Sequence, residues 1–211
     1  MRPVFTTQAR REPVLCSLQF VASVLIVVGF FGPWVAHKTA ALTVTGYELS
    51  EFAKFFPQVQ GGIVPVRRAL FIVPLLAASI SLALVVQRPS ARPLLQLAAL
   101  ALALVLGLFV LPPYQSLLEP AYRLQLMLVA VGVLLMLLTP LARQVSERVR
   151  GALFLLLALT GTVSPLWQAV MLQPLVVELH GAPVRPGWGL AVCTIGLVLL
   201  LSAGLRGLFS S

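Results

Sequence analysis

The chain has 211 residues, 59% of them hydrophobic and 10% charged, with a formal net charge of +9. Soluble domains are charged at roughly 25% of positions, so this composition, with a mean hydropathy of +1.00, excludes a soluble globular protein. In so apolar a chain, basic excess sets membrane topology or meets anionic lipid, and no nucleic-acid partner is expected.

Six uncharged runs divide the sequence, at about 13–35, 69–87, 94–111, 124–142, 151–170 and 187–205. Each is close to the ~20 residues a membrane helix needs, and none shows the alternation of a membrane strand. The prediction is an all-α integral membrane protein, one six-helix domain over residues 1–211. The connections RPSARP and 143–150 are short, and short connections make antiparallel neighbours, so the spans should form three hairpins.

The first run follows ARREPVL and is longer than the roughly 7–15 apolar residues of a signal peptide, which predicts a retained first helix. Its end, GFFGPW, has an echo in GLFVLPPY and GTVSPLW at the ends of spans three and five. In each, proline loosens the helix and an aromatic ring follows.

The stretch 36–68 is the longest connection. Within it, Thr45-Gly46-Tyr47-Glu48 fits a capping box, and Leu49, Phe52, Phe55 and Phe56 follow at three- and four-residue spacing before Pro57. That pattern predicts a short amphipathic helix over 46–56, lying on the membrane surface or under a partner. The AALTVT before it favours strand. Arg67 and Arg68 then precede span two, placed to pair with Glu48, Glu51, Glu119 or Glu178 or to hold an anionic headgroup.

In the remaining spans, Pro74 and the stretch Thr160–Pro165 are the positions where a broken helix would line a substrate site. Hydroxyls and amides such as Ser79, Thr160, Thr194 and Ser202 are expected to hydrogen-bond across helices. Cys16 and Cys193 fall at different heights and read as unpaired packing residues.

Orientation follows the positive-inside rule. With a cytoplasmic N-terminus, the inner side gathers Arg2, Arg10, Arg11, Arg88, Arg92, Arg143, Arg148, Arg150 and Arg206 against Glu12 and Glu147. The outer side holds Lys38, Lys54, Arg67, Arg68, Arg123 and Arg185 against Glu48, Glu51, Glu119 and Glu178. Both termini are thus expected in the cytoplasm of a bacterium, the chain lying in its plasma membrane. Every tryptophan and tyrosine then falls toward the outer side, which becomes the chemically distinctive one.

No span core contains an ionisable residue, although such groups mark the working sites of pumps and proton-coupled transporters. His37 and His180, the two histidines, fall in outer segments without a ligand-like spacing, and no metal, cofactor or catalytic residue is expected. These features predict a non-catalytic accessory or scaffold subunit of a bacterial membrane complex, with electron-transfer assemblies as the expected setting. The alternative is a small transporter or channel for a neutral or lipid-like substrate. The docking surface for other integral membrane subunits or lipid is expected at Trp34, Tyr47, Phe52, Phe55, Phe56, Arg67, Arg68, Trp167 and Trp188.

Overall fold

A computed structural model describes residues 6–36, 43–87, 91–117, 119–180 and 185–209, with the helical course alone for 6–13 and 179–180. The apolar runs become helices α1 (Thr6–Phe31), α4 (Val73–Val85), α5 (Pro93–Phe109), α6 (Arg123–Leu138), α7 (Glu147–His180) and α8 (Trp188–Phe209). Among the described residues, five helical stretches are long and apolar enough to cross a membrane: Val14–Phe31, Arg68–Val85, Pro120–Gln144, Glu147–Glu178 and Trp188–Phe209. The sixth, α5, is a shorter apolar helix. The connection after α1 holds two small helices, α2 (Gly46–Phe52) and α3 (Pro57–Gln60).

The chain is mostly helical, compatible with an all-α membrane protein, and carries one small sheet besides. Strands β1 (Pro33–Ala36), β2 (Thr43–Thr45) and β3 (Arg185–Pro186) form a sheet in the order β2-β1-β3, both pairings antiparallel. This corrects the first run, expected to stay helical to residue 35. Pro33 disfavours helical angles in the residue before it, so the helix ends at Phe31 and the chain extends into β1. The strand-prone TVT supplies its partner.

Other boundaries also move. Pro74 sits in the first turn of α4, where a missing N–H costs nothing, and so does not break that helix. Helix α7 runs for 34 residues through Pro165 and Pro174, well past the expected end at 170. The amphipathic helix predicted over 46–56 ends as α-helix at Phe52, continues as a 3-10 turn over Ala53–Phe55, and breaks at extended Phe56.

Side chains explain how the helices pack. Ideal Cβ atoms built on Gly29 and Gly196 would fall 2.2 Å from the Cys193 amide nitrogen and 2.8 Å from that of Ile26. Only hydrogen at these positions allows α1 and α8 to meet backbone to backbone, and the pairing of Gly29 with Cys193 and of Gly32 with Gly189 makes them antiparallel. Gly151 and Gly204 do the same between α7 and α8. Helix α4, rich in alanine and serine, is enclosed by α1, α5, α6 and α7 and is buried along nearly all its length. Helices α5 and α6 instead expose Leu97, Val105, Met127 and Val131 on their outer faces, the surface a bilayer would cover.

At the base, the end opposite the sheet, Arg150 is 3% exposed although it reads as a solvated topology-setting charge. Its Nη2 donates to the carbonyls of Ala142 (2.8 Å) and Gln87 (3.2 Å), and its Nη1 lies 3.2 Å from Glu147. Arg143 donates to the side-chain oxygens of Gln87 (3.0 Å) and Gln96. Arg150 thus supplies donors to backbone carbonyls at the ends of helical segments, while Arg143 ties together two glutamine side chains.

Candidate ligand-binding pocket

The sheet end forms a cap built around one residue. The β1–β2 register shifts between Pro33 and Val35, which leaves Trp34 as the bulge, and a bulge re-aims its side chain. Trp34 turns into the protein, 2% exposed, with Nε1 donating to the Gly29 carbonyl at 3.0 Å and its ring edge-on to Phe30. Its own carbonyl accepts from the Gly187 amide at 2.8 Å. One residue, through its ring and its backbone, so ties together α1, the sheet and the start of α8.

The capping box closes as predicted: Thr45 Oγ1 accepts from the Glu48 amide at 3.2 Å, and Glu48 Oε2 accepts from the Thr45 amide at 2.8 Å. Helix α2 does not float on the surface. Its Leu49 and Ser50 are buried against the protein's own helices. A polar lattice fixes it sideways: Glu51 lies 2.6 Å from Lys54 and 3.8 Å from Arg68. The Arg68 guanidinium stacks 3.9 Å above the Tyr122 ring and donates to the Ala121 carbonyl at 2.9 Å. Burial first, and then the Glu51 carboxylate, push the Tyr47 phenol above its ordinary 10.0. The hydrogen bond to Glu51 holds the Lys54 ammonium above its ordinary 10.5.

Beside this cap lies a cavity of about 280 Å³. Its inner wall is Trp34, Leu49, Leu172 and Val176, all buried. Val170, on α7, is exposed and forms its rim on the side away from the bundle. Gln173 and Arg185, both exposed, contribute its polar groups, Arg185 from β3. The α7 wall spans residues 166–176, between Pro165 and just beyond Pro174. Proline cannot bond back to the preceding turn and its ring crowds the carbonyl there, so α7 is least bound to straight geometry alongside the cavity.

The structure sorts the expected docking residues into three groups. Trp34 and Phe56 are buried in the chain's own core and face no partner, which corrects the expectation for both. Tyr47 and Phe52 are half-buried, against Phe109 and Phe56 respectively. Phe55 (68%), Trp167 (58%) and Trp188 (55%) remain exposed, Phe55 beneath the Lys54 ammonium. Arg68 is spent on the lattice, and Arg67 is exposed while its amide donates to buried Gln168 at 2.6 Å. Trp34 alone of these lines the cavity.

The other polar candidates close on themselves. Thr160, Thr162 and Ser164 bond back to the carbonyls of Leu156, Ala158 and Thr160, four residues earlier, as do Ser79, Thr194 and Ser202. Those hydroxyls therefore join no neighbouring helix, contrary to expectation, and Thr160–Pro165 presents no substrate-binding group of its own. Glutamines make the cross-helix bonds instead. His37 lies outside the described residues, as does the His180 side chain, and Cys16 and Cys193 are free.

Sequence reasoning missed Arg185 and Gln173. Their signal was weak: one charge and one amide flanking the second proline of α7 and the turn into α8. What the arrangement offers chemically is an apolar slot with a guanidinium and an amide at its edge. The long apolar helices and this slot belong to a membrane-embedded helical protein. No family model, curated protein or solved structure matches the chain.

Proposed function

We propose that the protein is a non-catalytic accessory or scaffold subunit of a multi-subunit membrane complex in the bacterial plasma membrane. In this reading it spans the bilayer six times as three hairpins, with α5 the shortest span, both termini in the cytoplasm and the cap outside. One observation carries the proposal: several of the buried polar side chains close the protein's own backbone. Gln125 Nε2 donates to the Val110 carbonyl at 2.8 Å, Gln168 accepts from Arg67, and Arg150 donates to two helix-end carbonyls. Such a molecule is stiff and presents shape, with Phe55, Trp167 and Trp188 as its exposed aromatic anchors for neighbouring subunits or lipid.

The transporter reading draws on the cavity, but a path across the protein would have to pass Gly161, about 7.5 Å below Leu166 at 1.5 Å per residue. There a Cβ would already lie 2.8 Å from Leu197 and 3.3 Å from Ala77. At that depth α4, α7 and α8 pack against one another, which supports the scaffold reading.

The test is purification from native membranes in mild detergent. The wild-type chain should emerge with other integral membrane proteins, and the combined Phe55→Ser, Trp167→Ser, Trp188→Ser variant should lose them at an unchanged unfolding temperature. A wild-type chain that emerges alone, or a variant that keeps every companion, overturns the proposal. An absorption spectrum of the assembly tests the electron-transfer setting.

A further inference from the structure

The cap-side pocket carries features that specify an occupant. Two tryptophans neighbour its lining residues along the chain: Trp167, next to Leu166, and Trp188, two residues before Leu190, each more than half exposed. Indole rings favour the layer where acyl chains meet headgroups, which sets the depth of the pocket in the bilayer. Its rim at Val170 faces away from the bundle, so its natural visitors come from the lipid. The apolar wall accepts hydrocarbon. The volume, about 280 Å³, lies just below the roughly 300–1,000 Å³ range of small-molecule sites, enough for a stretch of one chain.

Charge narrows the choice further. Arg185 and Gln173 edge the slot, and among the described residues no aspartate or glutamate lines it. A guanidinium forms paired hydrogen bonds with phosphate that an ammonium does not, and here no carboxylate of the pocket competes for it. An apolar side chain from a neighbouring subunit would fill the slot but leave this cation without a counterpart.

We propose that the pocket binds an anionic phospholipid, one acyl chain lying between α7 and Trp34 and the headgroup phosphate against Arg185, with the Gln173 amide as a further donor. The inference rests on the membrane-embedded reading and is independent of any assembly. A chain that purifies without companions would still bind the lipid.

Native mass spectrometry of the full-length, delipidated protein in detergent, titrated with phosphatidylglycerol and with phosphatidylcholine of the same acyl chains, provides the test. The wild type should prefer phosphatidylglycerol by about tenfold or more, the scale of a charge-assisted hydrogen bond. Arg185→Gln should abolish the preference, weakening phosphatidylglycerol more than phosphatidylcholine. Ala169→Phe, which fills the slot, should weaken both lipids, with circular dichroism confirming the fold. If that variant does not fold, Val170→Trp at the exposed rim makes the same comparison. Equal binding of the two lipids by the wild type, a preference that survives Arg185→Gln, or undiminished binding in a folded slot-filling variant each overturns the proposal. So does tight binding of oleate without phosphatidylglycerol, which would assign the slot to a free fatty acid.

Discussion

Gln125 is a measure of what a single amide does inside an apolar bundle. It reaches from α6 to the Val110 carbonyl at the end of α5, a group the helix cannot satisfy itself. Gln125→Leu keeps the bulk but leaves that carbonyl without its donor, a cost of about 1–3 kcal/mol. The expected result is a lower unfolding temperature in detergent, whereas exposed Gln115→Leu should stay within about 0.5 kcal/mol of wild type. At this scale legibility depended on locality. The Thr45–Glu48 box was readable because both partners lie within four residues. Trp34 was not: an aromatic after a helix-ending proline suits the headgroup layer as well as the core, and the bulge that turns it inward depends on strands far apart in sequence.

The closest-fitting elements are α1 and α8. Their contact hinges on Gly29, whose Cβ would collide with the backbone of Cys193, and backbone cannot yield as a flexible side chain would. Gly29→Leu should separate the two helices and abolish the cooperative melt. Gly62→Ala, in open space at φ 72°, should cost only the ~1–2 kcal/mol of a left-handed residue. Circular dichroism of the solubilised variants distinguishes the two outcomes. The helices themselves were plain in the sequence because twenty apolar residues have few alternatives in a membrane. Their ends were less so. The polar residues and proline of Thr160–Pro165 looked like a break in the fifth run, yet each hydroxyl rejoins its own helix and a proline removes a single backbone bond, so α7 continues to His180.

For the molecule as a whole, the apolar bundle and the polar cap answer to different conditions. Within the cap, Lys54 and Tyr47 both titrate above their ordinary values in the folded protein. A raised folded value means that stabilisation is present below the unfolded value and lost as pH rises through the folded one. Thermal stability should therefore be level through neutral pH and decline above about pH 10, and Tyr47→Phe should lessen that decline, as differential scanning fluorimetry across pH would show. The pocket was the least legible feature of all, because its walls come from four separate stretches of chain and only their convergence gives Arg185 and Gln173 a common purpose.

The buried guanidinium at the base also bears on how the protein is made. Arg150 sits in the first turns of α7, while the carbonyls it needs, those of Gln87 and Ala142, belong to segments that leave the ribosome earlier. A permanent cation cannot shed its hydration until those acceptors are in place. The base of α7 is thereby completed only once the segments that follow α4 and α6 have come together, and newly synthesised chain that has misassembled keeps an unburied charge there.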